Sequence, residues 1–193
     1  MSEMSVNAGT LASAYLVMAK LFSFPSAEVW ERLSEAGLVD PSLTQELLEA
    51  EYLAAFEMGR ESPPVTLFEG MHRGDLGCDG ILEDLLRFYE FFDAKLSETD
   101  REFPDHLVTE LEFLAWLSMQ EEAAERAGRD AEPFRNAEKD FLARHLCAWL
   151  PVFRQRLEAT NTAYAQYGAM LADLVETHRD RFSSQSHESG DIQ

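Results

Sequence analysis

A chain of 193 residues, 46% of them hydrophobic and 13 of them phenylalanine, holds the apolar material of one domain able to bury roughly 70% of its unfolded surface. Its 16 basic side chains face 36 acidic ones, a net charge of −20, which disfavours nucleic acid and anionic membrane as partners and favours a cationic one. The two cysteines, Cys78 and Cys147, form no C-x-x-C pair and no metal-binding spacing, and read as free thiols of a reducing cytoplasm.

Residues 1–9 are polar and expected to be loose. An apolar stripe at Leu11, Tyr15, Met18 and Phe22 predicts a helix from about Thr10 to Pro25. Ser13, Lys20 and Ser23 interrupt it, so the segment is expected to be neither a signal peptide nor a transmembrane span. Ser26 fits the N-cap of a short helix carrying Val29, Trp30 and Leu33 and stopped by Gly37, and Asp40-Pro41 is expected to open a third helix reaching Gly59. Between residues 59 and 80 the periodicity disappears. Pro63-Pro64 and the glycines at 70, 74, 77 and 80 predict irregular backbone, a functional loop or hinge; with no G-K-[ST] and no preceding strand, it is not a phosphate loop. Further helices are predicted over residues 81–96, 104–127, 133–158 and 160–182, with Pro151 kinking or splitting the third of these. Residues 183–193 read as a short disordered tail. No stretch sustains strand alternation, so the expected architecture is a single all-α domain over residues 10–182.

The most informative stretch is Glu102-Phe103-Pro104-Asp105-His106-Leu107-Val108-Thr109-Glu110-Leu111-Glu112-Phe113-Leu114. Pro104 fits the first helical position, and Asp105 the first turn, where the helix dipole favours negative charge. At about 100° per residue, Leu107, Leu111, Leu114 and Ala115 form one apolar stripe. Asp105, Thr109, Glu112 and Trp116 line the opposite side, flanked by His106, Glu110 and Phe113. That surface, acidic at its start and aromatic further on, suits something cationic and apolar. Taken alone, the same residues read as an ordinary helix start, with Trp116, Phe113 and Tyr89 as core aromatics.

The spacing E-x-P-D-H-L-x-x-E-L-x-F-L resembles the signature of the TorD/DmsD/NarJ family of chaperones that mature molybdenum oxidoreductases. Tyr15-Leu16-Val17-Met18-Ala19-Lys20-Leu21-Phe22-Ser23-Phe24-Pro25 and Glu51-Tyr52-Leu53-Ala54-Ala55-Phe56 are similar to its earlier segments. Leu67-Phe68-Glu69-Gly70-Met71-His72-Arg73-Gly74, with Leu85-Leu86-Arg87-Phe88-Tyr89, looks closest to the NarJ-like branch serving type II enzymes of the dimethyl sulfoxide reductase family. Phe91-Phe92-Asp93 departs from the small residue that often follows the tyrosine, so a different local turn is expected there. The resemblance implies a cytoplasmic, all-helical, non-enzymatic chaperone that binds the N-terminal segment of an immature catalytic subunit, often a twin-arginine leader. It further implies that the chaperone assists insertion of the molybdenum bis(guanine dinucleotide) cofactor without holding it stably, delays export, and exists as a monomer or a domain-swapped dimer. By that resemblance, Glu102, Pro104, Asp105, His106 and Glu110 belong to the recognition of the client, with Phe113, Trp116, Tyr89, Glu69 and His72 as further candidates. Glu69 and His72 fall in the irregular segment, where exposure is expected.

Two other classes compete. An acidic helical adaptor could dock a basic partner unrelated to molybdenum. A metal-dependent helical enzyme would need a second E-x-x-H motif beside Glu69-x-x-His72, and none occurs; no H-E-x-x-H or nucleophile elbow occurs either. The expectation is therefore a protein that is not an enzyme and holds no metal.

Overall fold

The computed structural model describes residues 6–40, 42–58, 64–74, 77–94 and 103–188. Among them are eight α-helices and no β-strand: α1 Ala8–Phe22, α2 Ala27–Glu35, α3 Gln45–Tyr52, α4 Gly77–Phe91, α5 Leu107–Arg126, α6 Glu132–Arg144, α7 Leu146–Glu158 and α8 Tyr164–Glu188. The chain is all-α, as its lack of strand alternation predicts.

The ends of the first helices follow local chemistry. Asn7, Ser26 and Thr44 each accept a hydrogen bond from the backbone N–H three residues on, supplying a partner that the first turn lacks. Gly37, at φ 69°, ends α2: its N–H reaches Ser34 O while Leu38 N–H reaches Leu33 O, a left-handed exit suited to glycine. The third helix differs from expectation. It starts at Gln45 rather than at Asp40-Pro41, because Asp40 spends its carboxylate on the backbone N–H and hydroxyl of Ser42, and Thr44 supplies the cap. It runs on into a single π turn, Leu53–Glu57.

Later boundaries also move. Helix α4 starts at Gly77, inside the segment expected to be irregular, and ends at Phe91 rather than at 96. Pro104 and Asp105 lie in a turn, not in the first turn of a helix; α5 begins at Leu107, and His106 Nδ1 caps it by accepting from Val108 N–H at 3.2 Å. The predicted 133–158 helix does divide, but at His145, where the backbone leaves helical geometry, while Pro151 sits inside α7. The last helix continues to Glu188, beyond its expected end.

Helix α5 is the centre of the molecule. It packs along α1 on one side and α6 on another, while α7 and α8 pair with each other. Trp149, Tyr15, Phe22, Phe141 and Phe153 fill the core between these layers. Burial on this scale, about 25 cal/mol per Å2 of apolar surface, is the main force holding the helices together.

Candidate functional site

The irregular segment 64–74 is fastened to the start of α5 by main-chain bonds. Leu107 N–H donates to Leu67 O at 2.7 Å, Phe68 and His106 form an isolated antiparallel bridge, and Glu69 N–H donates to Asp105 O at 2.9 Å. Asp105 completes the stitch: its Oδ2 accepts from Gly70 N–H at 3.2 Å. Its side chain is thus turned inward, with the residue only 7% exposed. Burial raises its pKa above the usual carboxylate value, the Gly70 and Asp105 N–H groups pull the other way, and the Glu69 charge adds to the rise.

Glu69 is fully buried, contrary to the exposure expected of a loop residue. Its Oε1 accepts from Arg73 Nη1 at 2.7 Å, and its Oε2 lies 2.8 Å from His145 Nδ1. Arg73 also donates to Arg144 O at 2.6 Å. The other face of the His145 ring, Nε2, lies 3.3 Å from Asp84 Oδ2, and Asp84 in turn pairs with Arg144. The break between α6 and α7 therefore falls where an imidazole is drawn between carboxylates of two other segments.

Glu110 lies beside this network with no exposure. Trp149 Nε1 donates to its Oε2 at 3.3 Å. Burial first, and the neighbouring Glu69 charge second, push its pKa well above its ordinary value of 4.5. Folding then takes up a proton that the unfolded chain releases near its ordinary value of 4.5. Stability contributed here falls as pH rises from that value through the folded pKa. Glu110→Gln keeps the acceptor for Trp149 without the titration. It is expected to melt at or above wild type at about pH 8, with a flatter pH dependence, in thermal scans between about pH 5 and 8; an unchanged slope would contradict the raised pKa of Glu110.

His72 is half-buried and stacked on Trp149, ring centroids 5.2 Å apart. Its Nε2 donates to Thr66 O at 2.8 Å, which fixes the tautomer and leaves Nδ1 to accept from Arg156 Nη1 at 3.0 Å. Burial lowers its pKa, the Thr66 carbonyl opposes that, and the Arg156 charge reinforces it.

The predicted polar face of the signature is thus largely interior. Pro104, Asp105, Thr109, Glu110 and Phe113 are buried, and Tyr89, also buried, donates its hydroxyl to Pro104 O at 2.8 Å. His106 and Trp116 are half-buried, and Glu102 lies outside the described residues. The most exposed large apolar side chain among the described residues is instead Phe91, 81% exposed at the end of α4, and Asp93 just beyond it takes a left-handed φ of 51°. The departure in sequence at 91–93 does coincide with this turn. There a groove of about 490 Å3 opens between α4 and α6, its aromatic wall formed by Phe88, Phe91 and Phe92. Phe92 lies 6.5 Å from Trp116, ring to ring, so the half-buried tryptophan of the signature helix reaches this wall.

A second polar network escaped the sequence reading. Glu121, buried in α5, accepts two hydrogen bonds from Arg181 at 2.8 and 2.7 Å and one from Arg135 at 2.5 Å. Nearby, Tyr15 donates its hydroxyl to His178 Nδ1 at 2.9 Å, leaving His178 Nε2 to donate to Glu138 Oε2 at 3.0 Å. All three members of that relay are buried, so it joins α1, α6 and α8 with no opening through which a substrate could reach it. Only the mutual placement of residues far apart in sequence reveals either network. Among the described residues no group of three or more His, Cys, Asp or Glu could hold a metal ion, and no helix is long and apolar enough to cross a membrane.

The family described as nitrate reductase delta subunit matches residues 19–155, well over half the chain and including the stitched segment and all of α5. The chain belongs to that family. It is 65% identical over its full length, and that of its relative, to the selenate reductase assembly chaperone protein of Thauera selenatis. It is 61% identical, again end to end in both, to the chlorate reductase assembly chaperone protein of Ideonella dechloratans. The dimethyl sulfide dehydrogenase assembly chaperone protein of Rhodovulum sulfidophilum is 40% identical over 51% of this chain and 42% of its own length. The expected TorD/DmsD/NarJ membership holds.

Proposed function

We propose that this chain is a cytoplasmic assembly chaperone, not an enzyme, for the catalytic subunit of a molybdenum oxidoreductase of the selenate or chlorate reductase type. The observation that carries the reading is end-to-end identity of 65% and 61% to two reductase assembly chaperones. The chaperone binds the N-terminal segment of the immature subunit, keeps it open for insertion of the molybdenum cofactor, which it touches only in passing, and delays export until assembly is complete.

Energetics assign different roles to charge and to apolar contact. A micromolar complex requires about 8 kcal/mol, whereas an exposed ion pair supplies about 0.2–1 kcal/mol. Apolar anchoring therefore carries the affinity, and the net charge of −20 speeds encounter with an arginine-bearing segment and selects for it. Binding should weaken as salt rises. Of the signature residues, His106 and Trp116 are the ones we assign to the client side; Asp105, Glu69 and Glu110 act by holding the scaffold that presents them.

Co-expression of this chain with a selenate reductase catalytic subunit, followed by affinity purification, tests the proposal. The intact subunit is expected to co-purify, and a subunit lacking its N-terminal segment to be lost from the complex. Equal capture of both forms would overturn recognition through the N-terminus.

A further inference from the structure

Among the described residues the most exposed aromatic side chain, Phe91, stands at the groove between α4 and α6, with Phe24 and Phe103 elsewhere less than half exposed. Phe91 projects from the last turn of α4 at 81% exposure, and Phe88 and Phe92 continue the wall inward. Aromatic side chains of this kind dominate the energetics of interfaces. The volume, about 490 Å3, lies within the range of about 300–1,000 Å3 typical of sites that enclose a bound group.

Charge decides what fits. Two arginines line the groove, but each is already neutralised: Arg87 by Glu83 at 2.5 Å, and Arg144 by Asp84. Asp140 on the opposite wall makes no ion pair among the described residues, and neither do Glu90, Asp93 and Glu132, which adjoin the lining in sequence. Lys139, which also adjoins the lining in sequence, opposes only one of these four carboxylates, so the surplus is negative. The groove also contains one worked instance of its own preference, since the Arg144 guanidinium sits 5.2 Å from the Phe88 ring centroid while pairing with Asp84. An aromatic face beside a carboxylate is a seat for a further guanidinium. A second copy of this chain, itself carrying −20, would bring like charge to that rim.

We infer that this groove takes the client subunit's amphipathic, arginine-bearing N-terminal segment, its apolar side chains against Phe88, Phe91 and Phe92 and an arginine on Asp140. The inference rests on the chaperone reading above and gives that reading a surface, one displaced from the buried signature but joined to it through Phe92 and Trp116.

Fluorescence anisotropy of a labelled synthetic peptide covering the N-terminal segment of a selenate reductase catalytic subunit provides the test. A second peptide carries glutamine in place of each arginine, and the intact subunit is co-purified in parallel. Phe91→Asp, at a position exposed enough to leave the fold alone, is expected to weaken peptide binding by roughly tenfold or more. Asp140→Asn should weaken the arginine peptide and leave the glutamine peptide unaffected. Met58→Asp, exposed and not part of the groove, should change neither. If wild type captures the subunit and both groove variants bind the peptide within about twofold of wild type, the groove assignment is overturned while the chaperone reading stands. If wild type captures neither subunit nor peptide, the chaperone reading falls and takes the inference with it. Should sedimentation show a dimer that Phe91→Asp dissociates with peptide affinity intact, the groove belongs to a second copy and the inference is likewise overturned.

Discussion

Glu69→Ala is expected to lower the melting temperature by roughly 6–20 °C. The carboxylate is fully buried, and its removal takes a charge partner from two groups that are themselves almost wholly buried, Arg73, which also donates to Arg144 O, and His145, which also faces Asp84. Breaking a buried pair by deleting one member costs about 3–5 kcal/mol, because the survivor keeps its desolvation penalty and loses its compensation. For a chain of this length each kcal/mol moves the melting temperature by about 2–4 °C. Glu69→Gln retains an acceptor and should fall between the two. A loss of client capture in Glu69→Ala would accompany loss of fold, whereas the groove variants should lose capture with melting unchanged. A Glu69→Ala protein melting within about 2 °C of wild type would mean that the network contributes nothing to stability.

Glu121→Ala should be comparably severe. One carboxylate gathers Arg181 and Arg135, tying α5 to α8 and α6, and its loss removes both hydrogen bonds of the buried Arg181, which is then left with Glu138 at 3.8 Å, while Arg135 keeps Glu125. Burial alone would raise the Glu121 pKa, but hydrogen bonds from Arg181 and Arg135 and their charges outweigh it, and the net shift is downward. The sign follows from linkage. A depressed carboxylate contributes stability that is complete above its unfolded value of 4.5 and is lost as pH falls through the lower folded value. Glu110 acts in the opposite sense above 4.5. Wild type should therefore lose stability below about pH 4.5 more steeply than Glu121→Ala, which has already lost the interaction. Parallel acid limbs in circular-dichroism melts of the two proteins would contradict this.

Where local rules act alone, the sequence is a good guide. Ser26 caps α2 and Gly37 ends it, because capping and left-handed exit depend on a handful of adjacent atoms. The lack of any period-two stretch likewise sufficed for the fold class. Misjudged features share a different cause. Pro151 looks like the obvious breaker, yet the helix breaks at His145, whose ring is met by Glu69 from 76 residues away. Glu69 itself sits among glycines and reads as exposed until Arg73 and His145 close over it. The polar side of α5 was legible as polar but not as interior: Glu110 is carried inside beside the Trp149 indole, and Glu121 by arginines from other helices. Conversely, nothing in the periodicity of α4 reveals that Phe91 stays bare. That depends on where α6 happens to pass.

The stitching of segment 64–74 onto residues 105–107 has a bearing on how such proteins are sorted. Pro104, Asp105 and Glu110 belong to an internal frame, so sorting chains by these residues alone would group them by architecture and not by cargo. Cargo preference would then be written in residues such as Phe91 and Asp140, where a substitution leaves the architecture untouched and changes only what it grips.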